Sequence, residues 1–515
     1  MTLLYNKCIE ECKIPTIWKT ANVVALHKKG SKKEALNYRP VSLTCILCKV
    51  YEQFLRRHIL MLVEDKICNN QHGFVERRSC LSNLLETVDT IIDMLGEGST
   101  VDVFYFDFCK AFDSVPHYRL LTKLENYGIT GPLLNIIKDF LTGRTMKTVV
   151  RGSYSKLHKV LSGVPQGSVL GPLLFVLFIN DLPDGLKNAT MLFADDLKLL
   201  GNANDVNSIK DDLSKLEEWE DIWLLKFNPS KCKVMHINLN DNSNQSYVFD
   251  GVVLDQVEVE TDLGVCVTAN LDWRDNIYSC IKEANRMIAW ITRNIVNKDK
   301  YVMLNIYKTL IRPKLEYCVQ IWNPKACHGN WSIIIELEAV QRKFTRLIND
   351  IGTLPYSERL RELRLTTLAE RRLRGDLIET FKIVNGLVDY GENMFRLSRS
   401  GSNIVSKCHI GEDASLRVKR LNSSFISERV KSFWNHLPVS VKNSANVDMF
   451  KSNLESFKQG CIDISEDNFW DVSRVLLDKI EGPSYIYSKD RHNEYLRDNP
   501  FVAKKRCINT FKVDD

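Results

Sequence analysis

No stretch of this 515-residue chain is apolar for long enough to cross a bilayer as a helix, which takes about 20 residues. That excludes helical membrane spans. The N-terminus, MTLLYNKCIEECKIP, has no basic start followed by an apolar run, so it does not look like a secretory signal peptide. Zinc-finger spacing is missing too. Cys45 and Cys48 form a lone CxxC, Cys327-His328 is isolated, and no second ligand pair lies nearby. An odd count of fifteen cysteines without a secretion signal points to reduced thiols in an intracellular protein, nucleus and cytoplasm not being separated. A strong charge of one sign is also lacking, since 70 Lys and Arg against 64 Asp and Glu leave +6. That balance permits a polyanionic partner without demanding one, so the placement of the basic residues matters more than their number.

What is present is a globular composition, 44% apolar and 26% charged, in a chain long enough for about two to four lobes. Its focus is the stretch 191–200, MLFADDLKLL. Two apolar runs flank Asp195 and Asp196, and runs of this length bounded by polar residues read as short buried strands. The Asp pair then occupies the tip of a hairpin. Adjacent carboxylates beside a core repel each other and lose hydration, which calls for a compensating hard cation. The bland alternative is a polar turn, where Asp is common.

Other segments carry similar pairs of readings. Residues 22–26 form a short β-branched run, followed by a basic loop with Lys28, Lys29, Lys32 and Lys33, and a return through Asn37-Tyr38-Arg39-Pro40. A basic hairpin of this kind is either a triphosphate clamp or a solvated turn. Residues 51–64 have helical spacing through Phe54, Leu55, Ile59, Leu60 and Leu62. QHGFVERR at 71–78 is a turn before a helix that Ser79 caps. VDVFYFDFCKAFDSVP at 101–116 reads as a buried strand with Asp107 near its end. Asp107 is a metal-ligand candidate, or the partner of Lys110 in a structural ion pair. LSGVPQGSVLGPLLFVLFINDLP at 161–183 is a tight glycine-rich loop with Gln166 inside it, leading into an apolar helix. Lys231 and Lys233 lie in a turn and strand at 226–237, and residues 238–246 make a hydrophilic connection.

In this order the blocks are recognisable. NYRPVSL, QHGFVERRS, FDFCKAFDSVPH, LSGVPQGSVLGPLLFVLFINDLP and FADD, followed by KFNPSKCKVM and TDLGVCV, resemble the reverse transcriptases of non-LTR retrotransposons, the jockey-like and related LINE-type elements. LIRPKLEY, LEAVQRKFTRLI and RVKSFWNHLP extend the resemblance to about residue 457. It implies an α+β right-hand polymerase with a mainly helical C-terminal region. Fingers and palm are expected at 1–270, a thumb and helical basic region at 271–397, a linker and helical unit at 398–460, and a tail of unknown role at 461–515.

The implied activity is RNA-directed DNA synthesis with two Mg²⁺ ions, Mn²⁺ being a substitute, on an RNA template, a DNA primer and deoxynucleoside triphosphates. Asp107, Asp195 and Asp196 fall on the metal-binding carboxylates, Asp107 and Asp195 holding both ions. Two cations about 4 Å apart activate the primer hydroxyl and neutralise the leaving pyrophosphate. Lys231 falls on the acid that serves the pyrophosphate. Arg39, with Lys28 or Lys29, falls where the fingers grip the triphosphate, and Gln166 and Gly167 on the loop beneath template and nucleotide. Phe112 falls where a ring lies under the sugar and collides with a 2′-OH, which argues against an RNA-synthesising enzyme or maturase.

Downstream, residues 275–295 make an amphipathic helix with Lys282, Arg286 and Arg293 off its apolar stripe. Arg342, Lys343 and Arg346, then Arg359, Arg361, Arg364, Arg371, Arg372 and Arg374, give two more basic stretches. These are phosphate contacts or solvated faces, and three in a row favour nucleic acid. Elements of this family carry an endonuclease ahead of the polymerase, and Met1 falls just before the fingers. A separate endonuclease is therefore expected to supply the nick. The alternative to a competent polymerase is an inactive nucleic-acid-binding remnant.

Overall fold

The computed structural model describes residues 1–28, 30–237, 245–324, 330–390, 394–395, 397–399, 405–410, 425–463, 476–477 and 479–481. These divide into two compact units, one of residues 1–264 and 268–271, the other of residues 265–267 and from 272 onward.

The first unit contains two larger sheets. In one, β1 (Thr20–His27) and β2 (Tyr38–Leu43) run antiparallel from the pair His27↔Tyr38, so the basic loop is a hairpin connection as expected. β4 (Thr145–Val150) joins β1 in parallel. The second sheet holds β3 (Val101–Phe106), β5 (Ala189–Phe193), β6 (Asp196–Asn202), β7 (Lys233–Ile237) and β8 (Asp255–Gln256), in the order β8-β7-β3-β6-β5. Its central strand β3 is buried at every residue but Tyr105, which is why VDVFYF reads as a nearly continuous apolar run rather than an alternation.

Helices pad this sheet. α1 (Ile46–Val63) packs on α3 (Leu170–Ile179), whose ten residues are all buried except Pro172. α2 (Cys80–Gly96) packs on β5 and β3, and α4 (Val206–Trp223) on β6. The Ser79 side chain caps α2 as expected, accepting from the Ser82 amide at 3.3 Å. The phase of α1 differs from the sequence reading. Its buried stripe is Cys48, Tyr51, Leu55, Ile59 and Val63, and Phe54 and Leu62 face outward.

The second unit is helical, built from α5 (Arg274–Asn294), α6 (Trp331–Thr345), α7 (Tyr356–Leu363), α8 (Leu368–Val384), α9 (Ile426–His436) and α10 (Val447–Asp463). α5 buries Ile277, Ala284, Ile288 and Ile291 against α6 and the 307–316 segment. The second and third basic stretches fare differently. Arg359 and Arg372 are each 1% exposed, Arg371 is ion-paired with Glu316, and Arg374 with Glu455 at 2.9 Å. Of that six-Arg run only Arg361 and Arg364 remain exposed. Most of the run therefore stabilises the helical core, and the expectation that it forms a phosphate-binding face is corrected. Within the stretch read as a linker, Leu397–Arg399 and Val405–Ile410 pair antiparallel. Residues 411–424 and most of the 461–515 tail lie outside the described residues. Among the described residues no helix is long and apolar enough to cross a membrane.

Candidate active site

β5 and β6 pair down to Phe193↔Asp196, which leaves only Ala194 and Asp195 to turn the chain. Ala194 takes a φ of +53°, a left-handed conformation that costs a residue with a Cβ about 1–2 kcal/mol. β6 also pairs with β3 through Phe106↔Leu197, and carrying that register one step further sets Asp107 opposite Asp196. Opposed residues of an antiparallel pair share a face. Two strand ends and one turn thus bring Asp107, Asp195 and Asp196 to one place.

The carboxylates feel each other. Burial raises the Asp195 carboxyl and Asp107 adds to the rise, while the Asp195 backbone amide, Arg39 and Lys28 oppose it. Burial first, then Asp195, Asp262 and Asp107, push Asp196 up to about 6, with Lys198 acting the other way. Asp196 itself is exposed to solvent at the end of β6. Asp107 takes its partner from Lys231, whose Nζ lies 2.7 Å from Oδ2. Lys110, the partner weighed from sequence, is exposed instead. Lys231 comes from the turn before β7, and that turn is tied to Asp107 by the Asn228 amide, which donates to the Asp107 carbonyl at 2.7 Å.

The loops predicted to flank these groups are fastened to neighbouring backbone. Lys28 and Arg39 are exposed on the β1–β2 hairpin and within electrostatic reach of Asp195. Lys29 lies outside the described residues. The Ser42 amide on β2 donates to the Gln166 carbonyl at 2.8 Å. Gly167, at φ +112°, sits so close that a Cβ would strike the Ser42 carbonyl. Gly163 approaches the Asp113 backbone to 2.6 Å from where a Cβ would lie, and the Val164 amide donates to the Phe112 carbonyl at 2.7 Å. The Phe112 ring stacks on Phe175 with centroids 4.4 Å apart and stays half-exposed.

Three supports escaped the sequence reading. Glu52, fully buried on α1, accepts from the Val169 and Leu170 amides at 2.6 and 3.0 Å, capping α3 just after the glycine-rich loop. Gln71 reaches the Ala194 turn, as described below. Lys198 and Asp262 form a buried ion pair at 2.7 Å, two residues beyond Asp196. No local pattern marks any of them.

The remaining predicted residues belong to the second unit. Lys282, Arg286 and Arg293 are exposed on α5, opposite its buried stripe. On α6, Arg342 is half-buried, Lys343 donates to Asn285 of α5 at 3.1 Å, and Arg346 is exposed beyond the last turn.

Among the described residues no three carboxylate, imidazole or thiolate groups converge closely enough to form a ready metal cage. The donor set of Asp107, Asp195 and Asp196 is nonetheless all hard oxygen, as Mg²⁺ requires. Burial and, after it, the repulsion between these carboxylates have a measurable signature. A carboxyl that titrates near 6 when folded and at 3.8 otherwise takes up a proton on folding between those values, so stability falls as pH rises through that window. Asp196→Asn removes the penalty. In thermal unfolding with chelator present, the variant is expected to melt above wild type at about pH 8 and level with it near pH 4.

The same stretch of chain matches known proteins. The family described as reverse transcriptase (RNA-dependent DNA polymerase) matches residues 26–267. The chain is 27% identical over 396 residues to a probable RNA-directed DNA polymerase from transposon BS of Drosophila melanogaster, covering 72% of this chain and 43% of the relative. It is 25% identical over 361 residues to the RNA-directed DNA polymerase of the mobile element jockey from the same organism, covering 66% and 39%. It therefore spans less than half the length of these curated relatives. Among solved structures, apo telomerase from Candida tropicalis aligns over 70% of this chain and 63% of its own at 10% identity, with a TM-score of 0.42. Residues 26–267 are a reverse transcriptase domain, of the kind carried by jockey-like non-LTR retrotransposons.

Proposed function

We propose that this chain is an RNA-directed DNA polymerase of a non-LTR retrotransposon, adding deoxynucleotides to a DNA primer 3′-OH on an RNA template. The observation that carries this reading is the meeting of Asp107, Asp195 and Asp196 at adjoining strand ends, within reach of Lys28 and Arg39. Asp107, Asp195 and Asp196 would hold the divalent cations, Mg²⁺ with Mn²⁺ as a substitute. When bound, these ions supply charge neutralisation at the attacking and leaving oxygens.

The protein's own groups position the reactants. Lys28 and Arg39, with Lys29 beside them in sequence, bind the triphosphate from the fingers. Lys231 hands its proton to the leaving pyrophosphate once it lets go of Asp107. Gln166 and Gly167 underlie the nucleotide, held by β2. Phe112, braced by Phe175, excludes a 2′-OH. In the thumb, Lys282, Arg286 and Arg293 on α5, with Arg342, Lys343 and Arg346 on α6, bind the template–primer backbone.

The test is primer extension on an RNA template with deoxynucleotides and Mg²⁺. Extension that EDTA stops is the expected result. Salt-sensitive binding without extension would instead identify an inactive remnant.

A further inference from the structure

The turn that carries Asp195 is not held by its own hairpin alone. Residues 70–73 run beside β5 as a short extra edge: the Leu192 amide donates to the Asn70 carbonyl, and the His72 amide to the Leu192 carbonyl, both at 2.8 Å. This edge delivers one side chain to the turn. Gln71 is fully buried, and its Oε1 accepts from the Gly73 amide at 2.7 Å and from the Ala194 amide at 2.9 Å. The other end of the amide, Nε2, is buried with no hydrogen-bond partner among the described residues.

A buried donor left without a bond is costly, and a shorter or apolar residue would avoid that cost. What the amide gains in return is the double acceptance, which satisfies the one N–H of the strained left-handed Ala194. Gly73 closes the same contact from the other side, since a Cβ there would run into the Ala194 nitrogen. The brace therefore acts one residue before Asp195 and two before Asp196, and it touches neither carboxylate.

We propose that Gln71 is a positioning residue for the polymerase reaction, fixing where Asp195 stands by holding the Ala194 amide. The inference rests on the polymerase reading given above. A displaced ligand costs rate more than binding, because a shift of about 1 Å can cost about a hundredfold.

Gln71→Met, equal in length but without an acceptor, is compared with Gln71→Glu, which keeps both acceptances. The Met variant is expected to lose at least about tenfold in kcat while its dNTP KM and primer–template Kd stay within about twofold of wild type. The Glu variant is expected to recover most of that rate, and thermal unfolding of each protein separates misfolding from misplacement. A Met variant with wild-type kcat overturns the proposal. So does a Glu variant that folds like wild type and is as slow as the Met variant. If wild type itself extends no primer, the polymerase reading has failed, and the brace is read from Mn²⁺ binding by calorimetry. Tighter binding to wild type than to Gln71→Met supports it, and equal binding overturns it.

Discussion

Asp195→Asn is expected to abolish nucleotide addition, a loss of at least about a thousandfold in rate, while primer–template affinity stays within about twofold of wild type. The substitution is nearly isosteric, so the two-residue turn between Phe193 and Asp196 keeps its shape. What it removes is one formal charge at the point where three carboxylates meet. Lys28 and Arg39 oppose the rise at Asp195, so their field no longer has that charge to offset. The basic residues proposed to bind template and primer lie elsewhere, and the substitution leaves them alone. Single-turnover extension and filter binding at matched salt measure the two quantities separately. Extension by Asp195→Asn at the wild-type rate would remove Asp195 from the metal-binding set.

The second large effect falls on stability. Lys198 and Asp262 are 2.7 Å apart with side chains 4% and 6% exposed. Breaking such a pair leaves one charge buried without compensation, at a cost of about 3–5 kcal/mol. Lys198→Met is expected to lose about that much in urea unfolding of the whole chain, read at the transition that includes the sheet. Replacing both members, Lys198→Met with Asp262→Leu, is expected to recover most of the loss, because well-packed apolar substitutes for a buried ion pair are often neutral. A double variant no better than the single one would mean that the pair contributes through packing rather than charge.

The hairpin, the strand ending at Asp107 and the buried helix after the glycine-rich loop were legible because their signals are local: apolar runs, their bounding residues and turn formers. Asp107 in particular could be placed near a strand end from VDVFYFD alone, but its neighbour across the sheet could not. Gln71 and Glu52 were illegible for a related reason. Gln71 acts on a residue 123 positions away and Glu52 on residues 117 and 118 away, and no periodicity encodes such pairings. The arginines of α7 and α8 misled because a charge reads as exposed until its partner is known. Arg372 meets Asn323 inside the helical unit, and Arg359 meets the Arg342 carbonyl and Thr345. Phe54 and Leu62 were misassigned through a phase error on a helix whose apolar residues nearly encircle it.

The Lys231–Asp107 pair has a bearing on when the chain can be made ready. A carboxylate that had only a dissolved cation to offset it would tie folding to the supply of that cation. Here the counter-charge is tethered by the chain itself, from the turn before β7, at 2.7 Å. On the polymerase reading proposed above, folding does not wait for the metal, and metal loading is a separate, later event. The tether also sets a threshold. An arriving cation competes with an ammonium group at a fixed, high effective concentration, so loading depends on how far the cation's affinity exceeds that internal rival.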